Sequence, residues 1–589
     1  MGAFILYDSN RKDELDLLSI ENVFSDKGFS EPNIFMLGNS ELHLYKKQLV
    51  DVQNYYIKDD YSIFVIGTIV YKGLSYSDSL KKLLFDFVHN KIEFNRLIGS
   101  YCVLFYVKQK LTILNDALNV CELFTDKKGR FITSSFLAAA NATYKLTINR
   151  NASLEKLLTG YIVGKDTLFN EIKRIIPLKY RGQWNIYRWP HINIPKADEN
   201  RSQSITNRIN TITAYMNDIE KLAEEYKPEL GLSGGYDSRL VYAAAQKAWD
   251  FKLDLHTHNT EEVDIHNIEK EIVKEIADQC GSKLNVVPTH NLDYYSGEEI
   301  EEILKDGYFY FDGRCAYNMG AFSPTYTRKY KVDTVSGHGL TLNGLGGEVY
   351  RNYYMNIKPI VSTKQWMKAK IYPDGVDLII NRDTFNKVHD YICKKMNFYL
   401  PFSWKKSISA LKIKRYYSEM RMPDCDALNC NANNQMEFYL TPFIEKTMIE
   451  DAYKSRKYFG ISGVFQAEMI NRLSSIVASF NSHYGFPFNK KEPFRHKAYM
   501  LVRDVLPDSL WNLRVNKVVV KNFKNNNNKK FFERVEEKCP FLHEASLLTE
   551  SLFPEINFDY LRTDYAMMPN SSYISIVFYM LRNRIALEC

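Results

Sequence analysis

The segment Glu229-Leu-Gly-Leu-Ser-Gly-Gly-Tyr-Asp-Ser-Arg239 holds the densest concentration of reactive chemistry in the chain. Two adjacent glycines, Gly234 and Gly235, let backbone N–H groups approach a phosphate oxygen. The hydroxyls of Ser233 and Ser238 add donors, and a helix starting here presents its positive end to an anion. Asp237 has no place in a purely anion-binding loop. A carboxylate there suits a Mg²⁺ ion set between it and the phosphates, so Leu232, Ser233, Gly234, Gly235, Asp237 and Ser238 read as a phosphate cradle.

Such a loop needs a strand to deliver it and a helix to leave it. Periodicity predicts a helix over 204–226, a short strand over 229–232, a helix over 238–247 and a strand over 251–257. An amphipathic helix over 264–280, stopped by Gly281, and a strand over 283–287 follow. This βαβαβ rhythm implies an α/β unit with a doubly wound parallel sheet. Beyond about Trp366 helices dominate, and 524–530, with its four consecutive Asn, reads as a loop. From Gly2 to about Asn151 the pattern is short apolar runs (3–7, 61–70, 101–107, 111–114, 131–134) around one helical stretch, 79–89, which predicts a strand-rich α+β domain. A helix and then strands holding Tyr180 to Tyr187 continue it. The polar run 195–204 is the predicted boundary, giving domains over 1–195 and 200–589.

The composition excludes several classes. A chain of 589 residues, 45% hydrophobic and 25% charged, has material for real cores, which rules out a disordered protein or a single small module. Lys+Arg 77 against Asp+Glu 70 gives +7 without a basic block, so no nucleic-acid tail is expected. The nine cysteines are scattered and no signal peptide precedes them, which predicts a reduced, cytoplasmic protein. Cys425 and Cys430 lack a second Cys or His pair at zinc-ligand spacing. The longest apolar runs, such as 574–581, fall well short of the roughly 20 residues of a membrane span.

Ser233-Gly-Gly-x-Asp-Ser238 matches the loop signature of the N-type ATP pyrophosphatases, and within that superfamily the chain resembles asparagine synthetase, β-lactam synthetase and the lasso-peptide cyclases. The resemblance runs nearly the whole length. Gly99-Ser-Tyr-Cys-Val-Leu-Phe105 and Leu114-Asn-Asp-Ala resemble segments of the family's N-terminal glutaminase-type (Ntn) domain, as do Ser134-Ser135, Gly160-Tyr-Ile-Val-Gly164 and Asp166 to Ile172. Asp312-Gly-Arg314 resembles its Arg-containing substrate segment and Tyr439 to Glu445 its Pro-Phe-Leu-Asp element. The family keeps a second metal carboxylate in Ser-Gly-Glu-Gly-Ala-Asp, after a parallel strand. In one register this is Asn343-Gly-Leu-Gly-Gly-Glu348; in the other, Ser336-Gly337-His338-Gly339 opens the motif, an insertion follows, and Gly337 joins the nucleotide site. Both make Glu348 the second metal ligand. A Lys after a Leu-Pro element, Lys517 with Lys521 in reserve, is the implied catalytic cation near the reacting carboxyl.

Two departures qualify the product. The Glu that serves amidation in asparagine synthetase becomes Leu345 or His338, and His338 is then a candidate substrate-side base. A type II glutaminase needs a Cys freed as the mature N-terminus, whereas position 2 is Gly2. The resemblance therefore implies an ATP- and Mg²⁺-dependent, AMP-forming amide, lactam or macrolactam synthetase that does not hydrolyse glutamine. Its substrates would be a small-molecule or peptide carboxylate and an amine, and its partners a second copy of the chain or a processing protein. An ammonia-using asparagine synthetase and a catalytically silent scaffold of the same fold are the alternatives.

Overall fold

The computed structural model describes residues 2–195, 199–260, 264–315, 324–334, 337–354, 360–401, 403–404, 407–505, 510, 513, 517, 523, 527–563 and 568–586. The N-terminal half stacks two largely antiparallel sheets. Ala3–Asp8 is central to one, paired with Ser40–Tyr45 and Phe131–Thr133; Tyr61–Gly67 and Tyr101–Val107 pair in the other. Alternation decides the layers, because successive side chains in a strand point to opposite faces. Phe4, Leu6, Phe64, Ile66, Cys102 and Leu104 meet between the sheets. Ile5 and Tyr7 face outward onto the helices Leu17–Asp26 and Phe136–Asn141, and Ile63 and Val65 onto Tyr76–Val88.

The C-terminal half is built on a five-stranded parallel sheet in the order Leu284–Thr289, Asp254–Thr260, Pro228–Gly231, Leu340–Leu342, Phe438–Leu440. The chain leaves the central strand in one direction through Asp254–Thr260, then returns to its other side through Leu340–Leu342. Between those two neighbours lies the topological switch point, where such sheets open a crevice at their carboxyl ends. The predicted strands and helices of this unit are found within a few residues, and Gly281 stands at φ +66° after Asp264–Cys280 as a helix-ending glycine should.

Two expectations change. Of Tyr180 to Tyr187 only Asn185–Ile186 is strand. The Asn run does not form a loop throughout: a helix begins at Asn527 and continues to Lys538, where Phe532 and Val535 give it a buried face. Each of the two large hydrophobic clusters draws on residues from both sides of the polar run 195–204. The C-terminal helices return to the N-terminal half, where Phe578 meets Phe169 and Ile585 pairs with Leu146 as a short parallel strand. Among the described residues no helix is long and apolar enough to cross a membrane.

Candidate active site at the carboxyl end of the parallel sheet

The strand Pro228–Gly231 ends at buried Leu232, whose N–H donates to His256 O across the sheet (3.0 Å). The chain then turns through Ser233, Gly234 and Gly235 into the helix Tyr236–Ala248. Ser238 Oγ ties the turn together, accepting from Ser233 N and lying 3.0 Å from Ser233 Oγ. At both glycines the approach of His483 is close. A Cβ on Gly234 would stand 3.2 Å from His483 N, and one on Gly235 3.1 Å from His483 Cε1. His483 thus caps the loop from outside, with its N–H donating to Gly234 O and its ring 3.4 Å from Glu269.

Asp237, in the first turn of this helix, is met by Glu348 from the loop that follows the neighbouring strand Leu340–Leu342. The two segments touch because glycines let them: a Cβ on Gly347 would lie 2.1 Å from Asp237 Oδ1, and one on Gly344 2.5 Å from Ser238 N. Arg351 sits between the carboxylates, 2.6 Å from Asp237 Oδ2 and 3.4 Å from Glu348 Oε1. Gln466 Nε2 donates to Asp237 Oδ1 (2.7 Å) and Tyr417 OH to Glu348 Oε2 (2.9 Å). Burial pushes the Asp237 carboxyl up; Arg351 opposes this, Glu348 adds to it, and the result stands at about 6. Burial works to lower the Arg351 guanidinium, but Asp237 and then Glu348 outweigh it and hold the group above its usual value.

No protein-family model matches this chain, and no curated protein matches it.

The two registers differ in place, and only one of them runs over Asn343 to Glu348. This segment follows its strand and flanks the switch point, whereas Gly337 and His338 precede that strand; Ser336 lies outside the described residues. Because Leu340 pairs with Pro228, at the start of the loop-bearing strand, Gly337 and His338 stand at the opposite end of the sheet from the loop. Gly337 is therefore not part of the cradle. His338 is held there by carboxylates, with Nε2 3.0 Å from Asp254 Oδ2 and Nδ1 3.8 Å from Glu229 Oε2, so it is not placed to serve a substrate at the loop.

Arg314 also belongs elsewhere. Its guanidinium pairs with Glu122 and lies 5.2 Å over the Phe124 ring, both in the N-terminal half. Lys517 is exposed and makes no contact with the loop among the described residues; Lys521 lies outside them. Arg314 instead lines a cavity with Gly2, Lys27, Cys121 and Asp312. Gly2 is buried there, and a Cβ on it would stand 2.2 Å from Lys46 O. Burial, then the neighbouring Asp116, raises the Cys121 thiol above its usual value.

Sequence reasoning missed four contributors to the loop site: Arg351, Gln466, Tyr417 and His483. Arg351 had a signal, since Glu348-x-x-Arg351 is one helical turn and 347–350 forms such a turn. Tyr417 opens a π-helical stretch, Tyr417–Asp426, with Pro423 inside it. Its wider turn aims Tyr417 at Glu348 and Asp424 at Arg174. Gln466 and His483 carry no local signature.

Proposed function

We propose that this chain is an ATP-dependent, AMP-forming amide synthetase, similar to the asparagine synthetase-like ATP pyrophosphatases and working without glutamine hydrolysis. The observation that carries the reading is the meeting of Asp237 and Glu348, distant in sequence, beside a Gly-Gly loop at the switch point of a parallel sheet. A four-layered N-terminal half supports the glutaminase-type part of the reading. Gly2 has no thiol, and its surroundings have no room for one.

Two carboxylates suit Mg²⁺, which commonly takes one or two protein carboxylates and completes its shell with phosphate oxygens and water. Asp237 and Glu348 would hold it once Arg351 yields the space between them, and bound there it would offset phosphate charge. The protein's own part is orientation and charge. The N-terminal end of Tyr236–Ala248 and the Gly234–Gly235 turn would receive the phosphates, with the Gly235 N–H, which now donates to Ser233 Oγ, turning to them, and His483 would wall the cradle off. In the reaction class proposed, a substrate carboxylate oxygen attacks the α-phosphorus and pyrophosphate leaves. An amine nitrogen then attacks the acyl carbon, loses a proton and expels AMP.

The test is pyrophosphate and AMP release from Mg²⁺-ATP, with aspartate and a panel of other acids, each with ammonium, with glutamine and alone. Asp237→Ala is the blank. Release with an acid and ammonium that disappears in the blank supports the reading. Equal turnover with glutamine would refute the silent glutaminase, and a wild-type chain that does not bind Mg²⁺-ATP would refute the whole.

A further inference from the structure

A second charged concavity lies away from the loop site. It is a cavity of about 430 Å³ on the N-terminal half, reached by Lys127, Lys128, Lys165, Lys179 and Arg181 from three separate stretches of chain. All five side chains are exposed, and among the described residues none of them forms an ion pair. Lys165 and Lys179 have only the Phe398 ring beneath them, at 6.0 and 4.9 Å, and Arg181 reaches no farther than the neighbouring Tyr180 O. Other lining cations are neutralised: Lys173 pairs with Asp166 (3.2 Å), and Arg174 with Glu122 and Asp424. The single lining carboxylate, Asp126, is already held by Arg130 at 2.6 Å.

Five unneutralised cations around one concavity are a large local excess in a chain whose whole formal charge is +7. Like charges gathered this way repel, and the low-dielectric walls of a concavity focus their field outward. The backbone N–H groups of Arg181, Gly182 and Gln183, on the rim of the same cavity, donate to no described residue. They add the short, directional donors that oxyanions favour.

We propose that this cavity binds a compact, phosphate-bearing polyanion. Its volume lies within the range of small-ligand sites. Its cations converge on one space rather than running in a stripe, which fits a small polyphosphorylated molecule better than the backbone of a nucleic acid. Arg181 supplies the planar fork that phosphate accepts in two bonds, and the lysines supply point charges. The site is independent of the nucleotide reading of the Ser233–Ser238 loop, so either can fail without the other.

Inorganic tripolyphosphate is the probe. Full-length protein, in low salt and without Mg²⁺, is titrated and each lysine's reactivity toward an acylating reagent is read by mass spectrometry. Protection is expected at Lys127, Lys128, Lys165 and Lys179, with exposed Lys490 and Lys491 unchanged. The same pattern is expected in Asp237→Ala. The double variant Lys165→Gln/Lys179→Gln, at two exposed positions, should weaken tripolyphosphate binding at least about tenfold, or about 1.4 kcal/mol. Protection spread evenly over surface lysines, or affinity unchanged in the double variant, overturns the site. Protection by a DNA oligonucleotide but not by tripolyphosphate overturns the small-ligand assignment.

Discussion

Replacing Arg351 by Met tests whether one guanidinium holds the carboxylate pair together. At 2.6 and 3.4 Å from Asp237 and Glu348, an effective dielectric of about 20 gives gross attractions of about 6 and 5 kcal/mol. Desolvation of the guanidinium offsets much of that. Removing one partner of a buried ion pair costs about 3–5 kcal/mol, and about 3 kcal/mol is expected here, since both carboxylates keep a second hydrogen-bond donor, Gln466 and Tyr417. The loss should depend on pH. Asp237 is raised in the folded state to about 6, so its effect on stability is absent below the unfolded carboxylate pKa, near 4. Stability is then lost as pH rises through 6. Without Arg351 the folded value rises further and the loss extends through neutrality. Denaturant titrations of Arg351→Met and wild type should therefore coincide near pH 4 and diverge up to pH 7, and millimolar Mg²⁺ should narrow the gap at pH 7. A gap of constant size from pH 4 to 8, insensitive to Mg²⁺, would mean that Arg351 acts by packing, for example over the Tyr236 ring at 5.7 Å, and would refute the electrostatic argument.

Two other perturbations have defined outcomes. Gly347→Ala puts a Cβ 2.1 Å from Asp237 Oδ1, so the two loops must part; a loss of about 1–3 kcal/mol in denaturant unfolding is expected together with abolished pyrophosphate release, and unchanged release would show that the loops separate freely. Lys47, fully enclosed and bonded through Nζ to Asn434 O (2.5 Å), is lowered by burial to about 7. The unfolded chain binds more protons than the fold between that value and the ordinary lysine range, so this residue makes wild-type stability rise with pH from about 7 to 10. Lys47→Met should remove that rise, as read by unfolding midpoints across the interval; a parallel pH dependence in both proteins would show that the ammonium stays charged.

Near-neighbour rules made much of the fold legible. The short apolar runs 3–7 and 61–70 marked strands, while the face each side chain takes, such as Phe4 and Leu6 between the sheets, follows from the pleat once the strands are paired. The Gly-Gly turn between a strand and a helix was legible too, and the structure packs His483 closely against it, 3.2 and 3.1 Å from where the Cβ atoms of residues 234 and 235 would stand. Asn527 to Lys530 misled, since Asn disfavours helix as a lone residue but yields when Phe532 and Val535 give the segment a face to bury.

What the sequence alone determined is therefore the local structure that neighbours in the chain impose: the Gly-Gly loop, with the strand that delivers it and the helix that carries Asp237 away from it. Tertiary structure alone decided which charges meet. Arg314 went to Glu122 in the N-terminal half, His338 to the amino end of the parallel sheet, and Arg351 to the space between the two carboxylates. Backbone conformation answers to local sterics, but an ion pair forms only where folding brings distant segments within a few ångströms, and that encounter is set by strand order and packing rather than by any residue's immediate neighbours.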